Sequence, residues 1–160
     1  IIKVQDLVKI IKKIKKNIYA SKIDPCTKTF QALRIFVNKE ITELVNGIIN
    51  ATKILKPGGK ILILSFHSIE DKIVKYFFKN FSINKSKPSR YFPAQDDSST
   101  VLFDEYKNKV FKASKKEIDQ NKRSRSAKLR YAIRSKNKFV YPDELAKKFE
   151  KYLNLEAINV

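Results

Sequence analysis

The residues best suited to chemistry follow directly on an apolar run, "LILSF", at positions 62 to 66. They are the only histidine of the chain, His67, and then Ser68, Glu70 and Asp71. An imidazole beside two carboxylates can hold or move a proton and can orient a polar substrate. We therefore predict His67 as a catalytic residue at the edge of a pocket; a hydrogen-bonded histidine in a turn is the alternative that the sequence leaves open. A serine nucleophile is not predicted, because no glycine-flanked turn surrounds Ser68.

The second group of residues suited to chemistry is the basic segment from Lys122 to Arg130, "KRSRSAKLR". The chain has six arginines, and four of them fall between residues 123 and 134, although lysine is far commoner elsewhere. Arginine binds phosphate with a planar, bidentate group that lysine lacks. We predict that side chains of this segment contact RNA phosphates: Arg123, Ser124, Arg125, Ser126, Lys128 and Arg130. A solvated run of charges is the alternative.

The formal net charge of +19 over 160 residues is extreme. Such a charge attracts polyanions, so nucleic acid is the first class of partner to consider, with compositional drift towards lysine as the simpler alternative. No stretch approaches the roughly 18 apolar residues of a membrane span, and no signal peptide is visible, so we expect no membrane partner. The single cysteine, Cys26, cannot form an internal disulfide, which fits the reducing environment of the cytoplasm.

The elements that must position these groups begin with two amphipathic helices. Apolar residues recur at helical spacing over residues 3–19 and again over about 29–55, and Asp24-Pro25 separates the two runs. In the second run, Gln31, Arg34 and Asn38 share one polar face. Exposure to solvent, contact with RNA and contact with a sheet all remain open for this face, and Arg34 is its predicted RNA-binding residue.

The centre of the chain predicts a strand followed by a helix. Pro57-Gly58-Gly59 turns the chain into residues 60–66, whose nearly continuous apolar run indicates a parallel strand covered on both faces. The next helix is predicted to begin with Ser68 as its cap and Asp71 completing a weak capping box. Four further elements are predicted after a polar loop over residues 82–100: a short strand at 110–111, a short helix capped by Ser114, a strand over 127–135 and an amphipathic helix over 142–155.

Three segments in this order resemble a known family: "TFQALRIFVNKEI" (29–41), "PGGKILILSFHSIEDKIVK" (57–75) and "NKRSRSAKLR" (121–130). They are similar to the bacterial 16S ribosomal RNA cytosine N4-methyltransferases, the ribosomal RNA small subunit methyltransferase H family. The resemblance implies an α/β, Rossmann-like fold, S-adenosylmethionine as cofactor, and a cytosine in the decoding centre of 16S ribosomal RNA as substrate. The cytosine amine is the nucleophile in such a reaction, so the protein must orient the base and accept a hydrogen bond from the amine.

The cofactor-binding part of such an enzyme is not found in the sequence. A glycine-rich turn lets the backbone approach the cofactor closely, and Gly47, Gly58 and Gly59, the only glycines, form no such turn. We therefore interpret the chain, which has no methionine, as the carboxyl-terminal part of the enzyme and inactive alone. The missing amino-terminal half is then a partner, with 16S ribosomal RNA and the small ribosomal subunit. Neither cofactor-binding nor metal-binding residues are predicted here.

Three segments are expected on this interpretation. Residues 1–55 form a helical insertion, residues 56–135 the carboxyl-terminal part of the methyltransferase α/β domain, and residues 136–160 a helical tail. Two rival functions stay open: a non-catalytic, basic RNA-binding or ribosome-associated protein, and a protein that binds membrane surfaces through the helix over residues 3–19.

Overall fold

A computed structural model describes residues 3–14, 24–83 and 101–158, in which six helices and a short 3-10 helix accompany a three-stranded sheet. In chain order the elements are α1 (Val4–Ile14), α2 (Thr27–Val37), α3 (Glu40–Ile54), β1 (Lys60–Ser65), α4 (Ser68–Asn80), β2 (Phe111–Lys112), α5 (Lys115–Gln120), the 3-10 helix (Lys122–Ser126), β3 (Lys128–Ile133) and α6 (Asp143–Glu156). The mixture of helices and a small antiparallel sheet is compatible with part of the predicted α/β, Rossmann-like fold.

The sheet has the order β1-β3-β2, and both pairings are antiparallel. The sequence predicts that β1 is a parallel strand covered on both faces, and the structure differs on both points. Its partner among the described strands is the antiparallel β3, and the side chains of Leu62 and Leu64 are 60% and 54% exposed. An apolar run indicates only that both faces of a strand are suited to burial; it does not show which element covers them.

The predicted continuous helix over residues 29–55 is wrong, because the structure divides it at Lys39. Helix α2 ends at Val37, and α3 begins at Glu40. Lys39 has φ 50°, in the left-handed region, which costs a residue with a side chain about 1 kcal/mol or more. Periodicity could not reveal this corner, because no glycine or proline marks it and apolar residues continue on both sides.

The core lies between α3, α4, α6 and the inner face of the sheet. Phe77 and Phe78 of α4 are fully buried, and each meets the ring of Phe103 edge-on with 5.2 Å between ring centroids. Leu145 and Phe149 bring α6 into the same cluster of buried side chains. Burying one such side chain contributes about 1.5–3 kcal/mol, so this cluster is the main source of stability and fixes α4 against the sheet.

The three predicted segments share this core. Ile41 from the first segment, Phe77 from the second and Leu145 from the third all belong to the one buried cluster. The boundaries at residues 55 and 135 therefore stay a prediction, and in this chain the predicted tail helix is an integral part of the packed unit.

The remaining predicted elements agree with the structure where it describes them. Helix α1 is described to Ile14, so its predicted continuation to residue 19 lies outside the described residues, as do residues 84–100 of the predicted loop. Ser114 caps α5 as predicted, since its hydroxyl oxygen accepts from the backbone N–H of Glu117 at 3.2 Å. Across the described ranges, none of the helices has the length and apolar character to cross a membrane.

Candidate functional site

The two predicted sites lie at the same end of the sheet. Ser65, the last residue of β1, is the register partner of Lys128, the first residue of β3. His67 follows β1 by two residues, and the 3-10 helix Lys122–Ser126 ends two residues before β3 begins. The imidazole and the basic segment are more than 50 residues apart in sequence, and the antiparallel pairing brings them to the same end of the sheet.

His67, rather than the predicted Ser68, caps helix α4. Its Nδ1 accepts from the backbone N–H of Glu70 at 3.3 Å, and the Glu70 carboxylate accepts in return from the backbone N–H of His67 at 3.2 Å. The same carboxylate oxygen accepts from the backbone N–H of Phe66 at 2.8 Å. The capping box therefore starts one residue earlier than predicted, with Glu70 in place of Asp71.

The capping geometry determines which nitrogen of His67 carries the proton. In neutral imidazole only one nitrogen can accept, and Nδ1 already accepts from Glu70, so Nε2 carries the hydrogen. Nε2 lies 3.3 Å from Oε1 of Glu70 and 3.7 Å from Oε2 of Glu40. The His67 side chain is only 7% exposed, and Nε2 has no hydrogen bond of good geometry within the described residues. His67 thus presents a buried N–H to two carboxylates.

These three side chains have the composition of a metal site, but their hydrogen bonding does not fit one. Glu40, His67 and Glu70 can bring one ligand atom each within 4.8 Å of one another. A metal requires a free lone pair on Nε2, however, and the tautomer fixed by the cap supplies a proton there. Arg34 adds a positive charge beside Glu40, which further disfavours a cation. The hydrogen bonding around His67 therefore disfavours a cation at these three side chains, and the absence of metal ligands stays a prediction.

Arg34, predicted to bind RNA, forms an ion pair at the corner between α2 and α3. Its Nε and Nη2 donate to the two carboxylate oxygens of Glu40 at 2.8 Å and 3.1 Å, and Asn38 donates to the same carboxylate at 3.4 Å. Burial opposes ionisation of Glu40, but the hydrogen bonds from Arg34 and Asn38 outweigh it and hold the pKa of Glu40 below its ordinary value. More than half of the Arg34 side chain is still exposed, so it remains accessible to solvent although it pairs with Glu40.

Asp71 joins α4 to the sheet instead of capping the helix. Its carboxylate accepts from Nε of Arg130 at 2.7 Å, from Nη2 of Arg130 at 3.3 Å and from Nζ of Lys128 at 3.0 Å. Burial raises the pKa of Asp71, but the hydrogen bonds and charges of Arg130 and Lys128 outweigh that effect, so the pKa lies below its ordinary value. Two of the motifs that carry the family resemblance thus meet in one ion-pair network.

The structure corrects the prediction that Arg130 contacts phosphate. Its side chain is buried, and Nη1 donates to the hydroxyl of Tyr106 at 2.9 Å and to Asn108 at 3.3 Å, in addition to the bonds to Asp71. Arg134 is buried as well, and its guanidinium donates to backbone carbonyls of Leu102 and Ser135. Half of the arginine enrichment between residues 123 and 134 therefore serves the interior of the protein.

The other half of the enrichment faces solvent. Arg123, Arg125 and Ser126 on the 3-10 helix are exposed. Ser124 is buried, and its hydroxyl donates to the backbone carbonyl of Asn121 at 2.8 Å, so the prediction that it donates to RNA is corrected. Lys128 is partly exposed beside Asp71. The surface available to phosphate is consequently smaller than predicted and is centred on Arg123 and Arg125.

Sequence reasoning missed Glu40, which contacts both Arg34 and His67. Its position six residues after Arg34 gives no helical signal, because residues three or four apart are the ones that meet on a straight helix. It missed the role of Tyr106 for the same kind of reason, since a tyrosine in an irregular segment has no spacing rule that reveals its partner.

The glycines do not form a cradle for a nucleotide-like cofactor in the described residues. Gly58, with φ 79°, and Gly59 lie before β1, at the opposite end of the strand from His67. A Cβ on Gly59 would come within 2.9 Å of the carbonyl oxygen of Lys56, so this glycine is required by a tight turn. Gly47 lies inside α3. The end of β1 leads into the capping box of His67 and Glu70 and carries no glycine.

A sequence model of the MraW methylase family matches residues 1–135. Proteins named ribosomal RNA small subunit methyltransferase H are similar to the chain: that of Bartonella henselae is 43% identical over 122 residues, and that of Bartonella quintana is 47% identical over 114 residues. The Agrobacterium fabrum protein of the same name is 40% identical over 131 residues.

These matches cover most of the chain but a minor part of each relative. They include 76%, 71% and 82% of the chain and 35%, 34% and 38% of the three relatives, respectively. The chain therefore spans about a third of the length of the curated relatives that it matches. Helix α6 lies beyond the residues that the family model matches.

Proposed function

The chain belongs to the MraW methylase family, and we propose that it forms part of an enzyme that methylates N4 of a decoding-centre cytosine in 16S ribosomal RNA. S-adenosylmethionine is the proposed methyl donor. Because the three glycines form no cofactor cradle, we assign cofactor binding to the two-thirds of the relatives' length that this chain does not span. The chain alone is proposed to be inactive.

The observation that carries this proposal is that His67 and the exposed arginines belong to segments that lie at the same end of the sheet. The pairing of Ser65 with Lys128 brings the start of the segment that leads to the capped turn next to the end of the segment that comes from the 3-10 helix. Ligands of open α/β sheets bind beyond the carboxyl ends of strands, and His67 lies just beyond that end of β1. Exposed arginines at the same end of the sheet suit a phosphate backbone. This arrangement supports RNA held along the 3-10 helix with a base directed towards the end of β1.

Different residues have different proposed roles at this edge. Arg123 and Arg125 contact phosphates, with Ser126 and the exposed part of Lys128 beside them. Arg34 extends the basic surface from the helical corner. His67 positions the turn after β1 through its cap and its buried Nε2–H, and it does not act as the base that receives a proton, since no free lone pair faces solvent.

The open face of β1 supports the proposed partner. Leu62, Leu64 and Phe66 alternate along one face, and all three are more than half exposed. An open cavity of about 540 Å³ continues this apolar surface between the end of α3 and the start of β1, and its lining includes Ile54 and Leu55. A continuous exposed apolar surface favours an interface, and the remaining part of the methyltransferase is its proposed occupant.

Methyl transfer to small ribosomal subunits that lack the modification tests the proposal. Labelled S-adenosylmethionine is supplied to the chain alone and to the chain joined to the amino-terminal part of a relative. We expect transfer only from the joined protein, and digestion of the ribosomal RNA should yield N4-methylcytidine. Transfer to another base would contradict the proposed specificity. Transfer by the chain alone would contradict the assignment of cofactor binding to the other part.

A non-catalytic RNA-binding function is the second candidate, and the net charge of +19 favours it. The same experiment separates the two. Tight, salt-dependent binding of ribosomal RNA without methyl transfer from the joined protein would support the binding function alone.

A further inference from the structure

The N-cap residue of helix α3 does not cap the helix with its side chain. Lys39 precedes it in the left-handed conformation, and its side chain makes no capping hydrogen bond. The backbone N–H groups of the first turn need acceptors, because a helix supplies none for them. A carboxylate from the other end of the chain fills this requirement: Oε1 of Glu156 accepts from the N–H of Ile41 at 3.1 Å, and Oε2 accepts from the N–H of Thr42 at 2.8 Å.

The Glu156 carboxylate is committed to this position. The residue is only 3% exposed, and Oε2 also accepts from the hydroxyl of Thr42 at 2.7 Å. A carboxylate is buried only when hydrogen bonds and favourable charge replace its hydration. Three donors and the positive end of the α3 dipole provide both. The last residue of α6 is therefore fastened to the first turn of α3.

The capped turn carries the residue that faces His67. Glu40 immediately precedes Ile41, and its carboxylate lies between Arg34 and the Nε2 of His67. The direction of the first turn of α3 therefore decides whether Glu40 reaches both partners. Leu145 and Phe149 anchor α6 in the core, so the capping carboxylate is presented from a rigid element.

We propose that Glu156 is a positioning residue: by capping α3 it holds the Arg34–Glu40 pair against His67, and α6 is thereby a working part of the candidate site although it lies beyond the matched family region. The functional consequence rests on the proposed function. The capping of α3 and the position of His67 do not depend on the proposed function, and both can be tested without methyl transfer.

The test uses the whole 160-residue chain with three variants. Glu156→Gln removes the charge and keeps the shape, Thr42→Val removes one donor, and Glu150→Gln is the control, since Glu150 is an exposed acid on the same helix. Amide exchange reports the caps on Ile41 and Thr42, and imidazole 15N and 1H resonances report His67, which is unambiguous as the only histidine.

We expect the amide of Ile41 to exchange about tenfold faster in Glu156→Gln, which corresponds to a loss of roughly 1.4 kcal/mol of local protection. The Nε2–H resonance of His67 should move in the same variant and, by less, in Thr42→Val, whereas Glu150→Gln should change neither. Faster exchange with an unchanged His67 spectrum would overturn the positioning role. Unchanged exchange would overturn the cap itself. Since the position of His67 is read directly, neither failure would be confused with failure of the proposed function.

Discussion

Asp71 and Arg130 fasten the first turn of α4 to the middle of β3 through two hydrogen bonds, of 2.7 Å from Nε to Oδ1 and 3.3 Å from Nη2 to Oδ2. Both side chains are largely buried, and Tyr106 accepts a further hydrogen bond from Arg130. This pair sets the distance between the turn that carries His67 and the strand that follows the basic 3-10 helix.

Removal of Arg130 should destabilise the fold without a specific effect on RNA. Arg130→Met leaves the buried Asp71 carboxylate with Lys128 alone, and the loss of one partner of a buried pair costs about 3 kcal/mol. Urea unfolding measures this change. The matched control is Arg125→Met on the exposed 3-10 helix, which should stay within about 0.5 kcal/mol of the original chain. Equal losses in the two variants would contradict the assignment of Arg130 to the interior.

Acid should weaken the same contact. The pKa of Asp71 in the folded chain lies below its ordinary value of 3.8, so the folded state binds this proton less readily than the unfolded state. The contribution is therefore fully present well above pH 3.8 and is lost as pH falls through the folded pKa. Unfolding free energies of the original chain and of Asp71→Asn should differ by a constant amount from pH 7 to about pH 5 and should converge at lower pH. A difference that grows on acidification would have the wrong sign.

Arg123 and Arg125 should contribute about two phosphate contacts. Each contact contributes roughly −0.7 to −0.9 to the slope of log affinity against log salt, so replacing both by Ala should make the slope shallower by about 1.5. Binding to a fragment of 16S ribosomal RNA at several salt concentrations measures it.

The control for this pair replaces Lys147 and Lys151 of α6 by Ala. Both are exposed and remove the same formal charge, whereas Lys148 lies 5.9 Å over the ring of Tyr76 and is avoided. An equal change of slope in the control would mean that only total charge matters.

Two substitutions separate the two roles of the His67 side chain, the helix cap made by Nδ1 and the buried N–H at Nε2. Ala removes the cap and should cost about 1 kcal/mol, whereas Asn is itself a good cap and should restore most of that stability without reproducing the Nε2–H. In a joined protein that transfers methyl groups, we expect both variants to lose activity per folded molecule. Full activity of the folded His67→Asn protein would show that only the cap matters.

The open face of β1 gives a prediction about partners. Leu64→Lys should change the stability of the chain alone by no more than about 0.5 kcal/mol, because the side chain is exposed. In the joined protein the same lysine would be buried without a partner, and the cost should be about 2 kcal/mol or more. Val37→Lys on α2, another exposed apolar position, is the control and should be neutral in both.

Local sequence signals predicted most of the helices and strands, but they could not predict contacts between residues that are distant in sequence. The apolar run before His67 predicts β1, and the Ser114 spacing predicts the cap of α5, because both depend on neighbours in sequence. The antiparallel partner of β1 and the capping of α3 by Glu156 depend on residues 60 or more positions away. No spacing rule encodes such a contact.

The candidate site shows the same division. Arginine enrichment predicts a phosphate-binding region, but Arg125 and Arg130 look alike in sequence, whereas Arg125 is exposed and Arg130 is buried. Burial decides between them, because a buried guanidinium must have its donors satisfied inside the protein. Only the fold shows that Asp71 is placed to do this.

The left-handed conformation of Lys39 limits the length of the helical region and also sets the direction of α3. A straight helix from Thr27 to Ile54 would be about 42 Å long, which exceeds the diameter of a small domain. Over the six residues from Arg34 to Glu40 such a helix would rotate by about 600°, which leaves the two side chains roughly 120° apart around its axis. The bidentate pair exists only because the rod is folded at Lys39. Lys39→Gly would keep this bend at a lower backbone cost, whereas a β-branched residue would destabilise the left-handed conformation and, with it, the contact between Arg34 and Glu40.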